Sequence, residues 1–391
     1  MGQGGHTVWI MAGEASGDTY GAALARELRL MEPGIVLRGM GGDRMREAGV
    51  ELYADSSDLA IIGVVELLPK LFFFIRLLRD MTRRAAAERP DAVVMIDYPG
   101  FNIRLSKRLK KLGIPVVYYV SPQVWAWKKG RVHTLARCVQ RMLCIFPFEP
   151  ECYAMTPLKA VFVGHPLLEI LAPLKQNSQE RDPSLVLILP GSRRSELQTL
   201  LKNFLLTAQE MQRQRPELHF AMPLTNEIRR AQAEKIIAET PLSKQFLDSL
   251  EISIGKTREL MCRASAGLAA SGTVTVEAAI LGLPVVVSYR GGFFTYIVAK
   301  MIVHLSSITI ANLVTGRTVY QECLQYDSVP EKMVPAMMSI LPGGARRQEV
   351  LDGIAECVGL LGDKMPVSHN VAQNVLEVIE EAEAAKASSN S

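Results

Sequence analysis

Short apolar runs alternate with longer amphipathic stretches along almost the whole chain, and that alternation predicts an α/β protein built on parallel sheets. In the first half Thr7–Met11, Asp91–Ile96, Val116–Val120, Arg141–Phe146 and Val161–Val163 read as strands. Leu185–Leu189, Phe220–Pro223, Glu251–Ile254, Gly267–Ala270 and Val285–Val287 continue the pattern in the second. The clearest unit is Ser265–Tyr289. Its apolar run stops at Ser271-Gly272-Thr273, and a helix-forming segment, Val274–Leu281, follows. Gly282-Leu283-Pro284 then breaks into the β-branched Val285-Val286-Val287. Strand, turn, helix, stop, strand is one parallel crossover. Two other strands break in the same way. Thr7–Met11 runs into Ala12-Gly13-Glu14-Ala15-Ser16-Gly17-Asp18 before a helix predicted over Thr19–Met31. Leu185–Leu189 runs into Pro190-Gly191-Ser192-Arg193-Arg194 before a helix from Glu196. Neither turn is G-x-G-x-x-G, so the dinucleotide fingerprint is absent.

The oddest periodicity lies in Leu67–Glu88, with Pro69 suited to a first helical turn. At 100° per residue Leu71, Phe74, Ile75, Leu78 and Met81 form one stripe for a sheet to bury. Phe73 and Leu77 fall outside it, among Lys70, Arg76, Arg79, Arg83 and Arg84. Rings and cations mixed on one surface suit a membrane headgroup region rich in anionic lipid, with Leu68, Phe72, Phe73, Arg76 and Leu77 as the docking set. The alternative is a helix buried on two sides. The apolar Phe293–Leu305 is a second candidate surface, expected to be helical.

A length of 391 residues suits two domains, placed here at 1–172 and 184–345 around the polar, Pro-bounded linker Ala172–Pro183. Helices over 346–391 follow. The amphipathic Pro366–Ala385 is expected to cross back to the first domain or to pack on a second copy of the chain, as in a homodimer. A net charge of +4 with no basic block argues against nucleic acid. Six cysteines without a C-x-x-C pair fit a reducing compartment and neither a disulfide framework nor zinc. The first strand starts almost at once, and no apolar stretch reaches bilayer length, so a cytoplasmic protein is expected.

Candidate chemistry sits at the strand ends. The Ser271-Gly272-Thr273 turn offers hydroxyls and backbone N–H groups at a helix N-terminus, a phosphate site. Glu277 lies one turn further along the same face, where a carboxylate can take sugar hydroxyls. Together they describe a nucleotide-sugar site; an ordinary crossover with a polar cap is the bland alternative. Ser192 and Arg193 repeat the turn with a cation shaped for a diphosphate. Glu14, Ser16 and Gly17 form a turn that a ligand can approach, or simply a capped turn. Asp97, at the carboxyl end of its strand, is a candidate general base, or a cap for the next helix. His165, in Gly164-His165-Pro166, is a catalytic or diphosphate candidate with a structural role as its alternative. Trp125 and Trp127 share one loop with Lys128, Lys129 and Arg131, fit for a sugar, an acyl chain, an interdomain contact or packing beneath the loop.

Residues 12–18 (AGEASGD), 96–102 (IDYPGFN), 120–127 (VSPQVWAW), 146–149 (FPFE), 163–166 (VGHP), 189–193 (LPGSR), 270–277 (ASGTVTVE) and 312–317 (NLVTGR) resemble, in that order, the motifs of the lipid-A-disaccharide synthase family. The resemblance spans nearly the whole chain. It implies the GT-B architecture, two doubly wound, Rossmann-like domains facing each other across a cleft. It also implies an inverting transfer from UDP-2,3-diacylglucosamine to 2,3-diacylglucosamine 1-phosphate, releasing UDP and a β(1→6) disaccharide. Such an enzyme belongs to lipopolysaccharide synthesis and sits peripherally on the inner face of the bacterial inner membrane. By the same resemblance Asp97 is the base for the acceptor 6-hydroxyl, Arg193 holds the donor diphosphate and Asn312 contacts the donor. The loop around Asn312 departs from the family, with Ala311 in place of a Pro. The chain has no D-x-D pair to grip a diphosphate-bound metal. No cofactor or metal is therefore expected, and leaving-group charge falls to Arg193 and the helix N-termini. A UDP-sugar epimerase or hydrolase of the same fold is the alternative function.

Overall fold

The computed structural model describes residues 5–56, 67–125, 130–176, 180–290 and 307–389, with the backbone alone for 67–71 and 389. The chain divides into two compact units, one of 1–166 with 364–391 and the other of 167–363.

The first unit carries a seven-stranded parallel sheet. Its strands are β1 (Thr7–Ala12), β2 (Val36–Gly41), β3 (Glu51–Asp55), β4 (Ala92–Ile96), β5 (Val116–Tyr119), β6 (Arg141–Cys144) and β7 (Lys159–Phe162). Their order is β3-β2-β1-β4-β5-β6-β7. The central strands are apolar throughout because helices cover both faces, and every residue of β4 is buried. β2 and β3 carry no such signal: β2 contains two glycines and β3 is a partly exposed edge strand. Strand order reverses between β1 and β4, whose ends are level, with Met11 opposite Met95 and Ala12 opposite Ile96.

The second unit has a six-stranded parallel sheet of β8 (Asp182–Leu189), β9 (His219–Leu224), β10 (Leu250–Ile254), β11 (Ala264–Ala270), β12 (Val285–Tyr289) and β13 (Glu322–Leu324). The order is β10-β9-β8-β11-β12-β13, reversing between β8 and β11. Ile188 lies opposite Leu268 and Leu189 opposite Ala269, so these two strands also end together. Crevices beyond such reversal points are where open α/β sheets bind ligands.

Several boundaries differ from the expected ones. The stretch read as a linker is largely structured: a helix, Leu167–Gln176, occupies its start and β8 its end, and the unit boundary falls at 166/167. The helix Arg347–Leu360 belongs to the second unit, not to the tail. The helix Val367–Ser389 belongs to the first unit. Arg141, only 1% exposed at the start of β6, holds it by donating to Asn374 Oδ1 (2.9 Å) and Glu377 Oε2 (2.7 Å) and by pairing with Glu381. Phe293–Leu305, Trp127, Lys128 and Lys129 lie outside the described residues.

The helix Leu67–Glu88 is rotated from the expected phase. Leu77, Leu78, Met81 and Ala85 are buried in the core of the first unit, with Phe73 and Phe74 packed partly against it. Leu77 is therefore a core residue and not a docking residue, and Phe73 is half in the core. The outward stripe is Phe72, Ile75, Arg76, Arg79 and Arg83, with Phe72 72% exposed. The side chain of Leu68 lies outside the described residues. No described helix is long and apolar enough to cross a membrane.

Candidate active site

In the first unit the reversal point is framed by the Ala12–Asp18 turn after β1 and the Asp97–Asn102 turn after β4. Asp97 and Tyr98 both adopt left-handed backbone, with φ of 45° and 44°. Non-glycine residues hold that conformation only where their surroundings enforce it. Here the enforcement is visible. The carbonyl of Asp97 accepts from Asn102 Nδ2 at 2.9 Å and from the Tyr118 hydroxyl at 2.7 Å, and its N–H donates to Tyr119 O at 3.0 Å. Asn102 is fully buried and also reaches Ile96 O at 3.2 Å, tying the end of β4 to the turn. The Tyr98 ring lies over Gly13: a Cβ there would come within 2.4 Å of it, so only glycine lets the two turns meet. Tyr98 in turn packs near Phe74 (centroids 6.0 Å apart), and Phe74 sits edge-on to Phe101 at 5.3 Å. The outward-facing helix and the Asp97 turn thus share one aromatic cluster.

The Asp97 carboxyl is pushed up to about 6, by burial first and by the Glu14 carboxylate second, with the Tyr98 N–H opposing. Glu14 and Ser16 are exposed at the mouth of the turn, where a ligand can reach them. Gly17 is not at that surface. It is buried where the helix Ala15–Met31 meets the sheet, and a Cβ there would lie 3.2 Å from Ala12 Cβ and 3.5 Å from Ile96. Its lack of a side chain serves helix–sheet packing. Asp18 is likewise structural, its carboxylate accepting the N–H groups of Gly42 (2.7 Å) and Met45 (3.1 Å).

Glu149 is a further acidic group of this region, 1% exposed, with no signal in the sequence beyond its place in FPFE. It accepts the N–H groups of Ile145 and Phe146, each at 3.1 Å, and the indole N–H of Trp125 at 3.3 Å. Burial nevertheless pushes it up to about 7, with the Asp97 charge a smaller contribution in the same direction. Trp125 sits edge-on to Phe148 at 5.3 Å. His165 is buried against Phe146 and held neutral, its imidazole pushed down to about 3 by burial.

The second unit's reversal point is open. Ser192 and Arg193 are exposed after β8, and Gly272 and Thr273 are exposed after β11 with Ser271 half-buried. The helix Thr273–Ile280 has no side-chain cap, so its first N–H groups face outward without an intrahelical partner. Gly272, at φ 156°, sits in a backbone region open mainly to glycine. The Arg193 side chain is 81% exposed and only loosely paired with Glu196 at 3.3 Å, leaving its guanidinium available. Glu277 lies on the first turns of the same helix as Thr273 and is ion-paired with Arg258 at 2.6 Å. Asn312 does not offer its amide to a ligand. Its Oδ1 accepts Val319 N (2.9 Å) and Tyr320 N (2.8 Å), and its Nδ2 donates to Tyr320 O (2.8 Å) and Glu322 Oε1 (3.2 Å). Both ends of the amide are taken and the residue is 5% exposed, so Asn312 builds its loop. Glu322, which also accepts the N–H groups of Ile308 and Thr309 at 3.0 and 2.9 Å, is the partner that orders it.

A model of the lipid-A-disaccharide synthetase family matches residues 8–373. The chain belongs to that family. A lipid-A-disaccharide synthase of Anaeromyxobacter dehalogenans is 38% identical over 380 residues, covering 95% of this chain and 97% of the relative. Among solved structures, a UDP-GlcNAc 2-epimerase of Neisseria meningitidis bound to UDP-GlcNAc aligns with a TM-score of 0.63 at 14% identity, covering 96% of this chain and all of that one. CalG4, the calicheamicin glycosyltransferase, aligns at 0.57 and 14%, covering 97% and 99%. These last two show the shared GT-B fold of two Rossmann-like domains. The fold alone does not separate a synthase of this family from an epimerase; the full-length identity to the family does.

Proposed function

We propose that this enzyme transfers the 2,3-diacylglucosamine unit of UDP-2,3-diacylglucosamine to the 6-hydroxyl of 2,3-diacylglucosamine 1-phosphate, with inversion, giving a β(1→6) disaccharide 1-phosphate and UDP. The observation that carries the reading is Asp97: a carboxylate at a reversal point, fixed through its own backbone and raised toward neutrality. An ordinary aspartate is a poor base for an alcohol, and burial brings Asp97 closer to the working pH. In a single displacement the 6-oxygen bonds to the anomeric carbon as the bond to UDP breaks, and the hydroxyl proton passes to Asp97. The charge developing on UDP is met by the N–H groups at Gly272–Thr273, by Ser192 and Ser271, and by Arg193. Glu14 and Ser16 lie where an acceptor sugar at Asp97 would meet them.

Both substrates carry acyl chains, and the stripe Phe72, Ile75, Arg76, Arg79 and Arg83 suits an anionic lipid surface on the cytoplasmic side. Through Phe74, Phe101 and Tyr98 the docked helix would adjoin the base. Replacing Phe72 and Ile75 together by Ser is expected to weaken sedimentation with anionic vesicles and leave the thermal midpoint unchanged. Undiminished vesicle binding would remove the stripe as the docking face. For the reaction itself, UDP release is measured from UDP-2,3-diacylglucosamine with and without the acceptor. Release that requires acceptor and yields disaccharide is the expected result; release without acceptor would mean a hydrolase or epimerase-like site.

A further inference from the structure

Glu277, expected from the sequence to take sugar hydroxyls, is not a free acid. Arg258, on the helix Thr257–Arg263 that follows β10, donates to it through Nε at 3.0 Å and Nη2 at 2.6 Å. A guanidinium facing a carboxylate commonly spreads its fork over both oxygens. Here both bonds fall on Oε1, and Oε2 takes no hydrogen bond among the described residues. The Glu277 side chain is 15% exposed and that of Arg258 36%. The result is a largely sheltered carboxylate with one oxygen clamped and the other unoccupied, beside a helix N-terminus suited to a diphosphate. Such an oxygen is accessible to a neutral donor, because Arg258 already balances the charge and the atom is not sealed in the interior.

We propose that Arg258 is a positioning residue for nucleotide recognition, holding Glu277 by Oε1 so that Oε2 accepts a hydroxyl of the ribose. This rests on the reading of the second unit as the nucleotide-sugar site. Without the clamp the Glu277 side chain regains rotamer freedom that ligand binding must then remove. A carboxylate left without its cation is also more strongly hydrated, and that water must be displaced. Arg258 belongs to none of the motifs, and its partner lies 19 residues away on a different helix, so only the fold brings the pair together.

The test is calorimetric titration of the full chain with UDP, 2′-deoxy-UDP and 3′-deoxy-UDP. For the unmodified protein, loss of the hydroxyl that meets Glu277 is expected to weaken binding about tenfold or more, as for a hydrogen bond to a charged group. Arg258→Gln should bring that discrimination to within about threefold, because Glu277 is then neither ordered nor balanced in charge. Arg258→Met, which keeps the aliphatic stem and its packing, should do the same and covers a Gln variant that fails to fold. A wild-type ratio retained in either folded variant overturns the proposal and leaves the site reading intact. Equal binding of all three nucleotides by the unmodified protein overturns the ribose role of Glu277 itself.

Discussion

The two units put the same topological feature to opposite uses. Each sheet reverses its strand order between two level strands and places a turn at each strand end. In the first unit that place is tightly held: left-handed backbone at Asp97 and Tyr98, a buried Asn102 and the Tyr118 hydroxyl fix the turn that carries a partly buried carboxylate. In the second it is open, with Gly272, Thr273 and Arg193 exposed and a helix N-terminus uncapped. Desolvation is what a base needs, since it raises proton affinity; exposed N–H groups and a loosely held guanidinium are what an incoming diphosphate needs. Topology selects the location, and the side chains beneath each turn decide between base and anion site.

The largest way to break this contrast is Asp97→Asn. Turnover should fall by about 10²–10⁴-fold, the usual share of a general base, while UDP affinity in a titration stays within error. The same variant should unfold at a higher temperature near neutral pH. The folded-state value of Asp97, about 6, lies above the ordinary carboxylate value of 3.8, so the native protein holds the proton more tightly than the unfolded chain does. Ionised Asp97 therefore destabilises the fold above about pH 6, and the advantage of Asn should shrink as the pH falls through the window between those values. A variant that is both active and no more stable would contradict both parts.

Arg193→Ala addresses the open side. UDP affinity should fall ~10–100-fold, the range for hydrogen bonds to a charged group, with no change in thermal midpoint because the side chain is largely free. Unchanged affinity would put the diphosphate elsewhere. A smaller effect is expected for Tyr118→Phe, which deletes only the hydroxyl that bonds to the Asp97 carbonyl. One lost neutral hydrogen bond allows a severalfold fall in turnover, with nucleotide binding unaffected. Equal losses in turnover and UDP binding would instead indicate a general loss of folded protein.

Much of this contrast was legible in the chain, because strand ends followed by Gly, Ser and a charged residue announce themselves locally. Asp97, Arg193 and the Ser271-Gly272-Thr273 turn all fall at reversal points. What the sequence concealed is long-range or a matter of phase. Glu149 and Trp125, Tyr118 and Asp97, and Arg258 and Glu277 meet only through folding. Gly17 and Asn312 sit in motifs that read as ligand contacts, yet the structure turns one into helix–sheet packing and the other into the interior of a loop. The Leu67–Glu88 helix is nearly all apolar from Leu71 to Leu78 apart from Arg76, so a hydrophobic period cannot choose its buried sector. Ile75 and Leu77 exchanged their expected sides for that reason.

The direct test of the central claim is the pH dependence of kcat/KM, which reports ionisations of free enzyme and free substrate. The acceptor's phosphate monoester also titrates near pH 6, so the wild-type profile must be compared with that of Glu14→Gln. The Glu14 charge helps to raise Asp97, and removing it should move the acid limb from about 6 to lower pH. That displacement would identify Asp97 as the titrating base. A limb that stays in place when Glu14 is neutralised, or a profile flat through this range, would contradict the account.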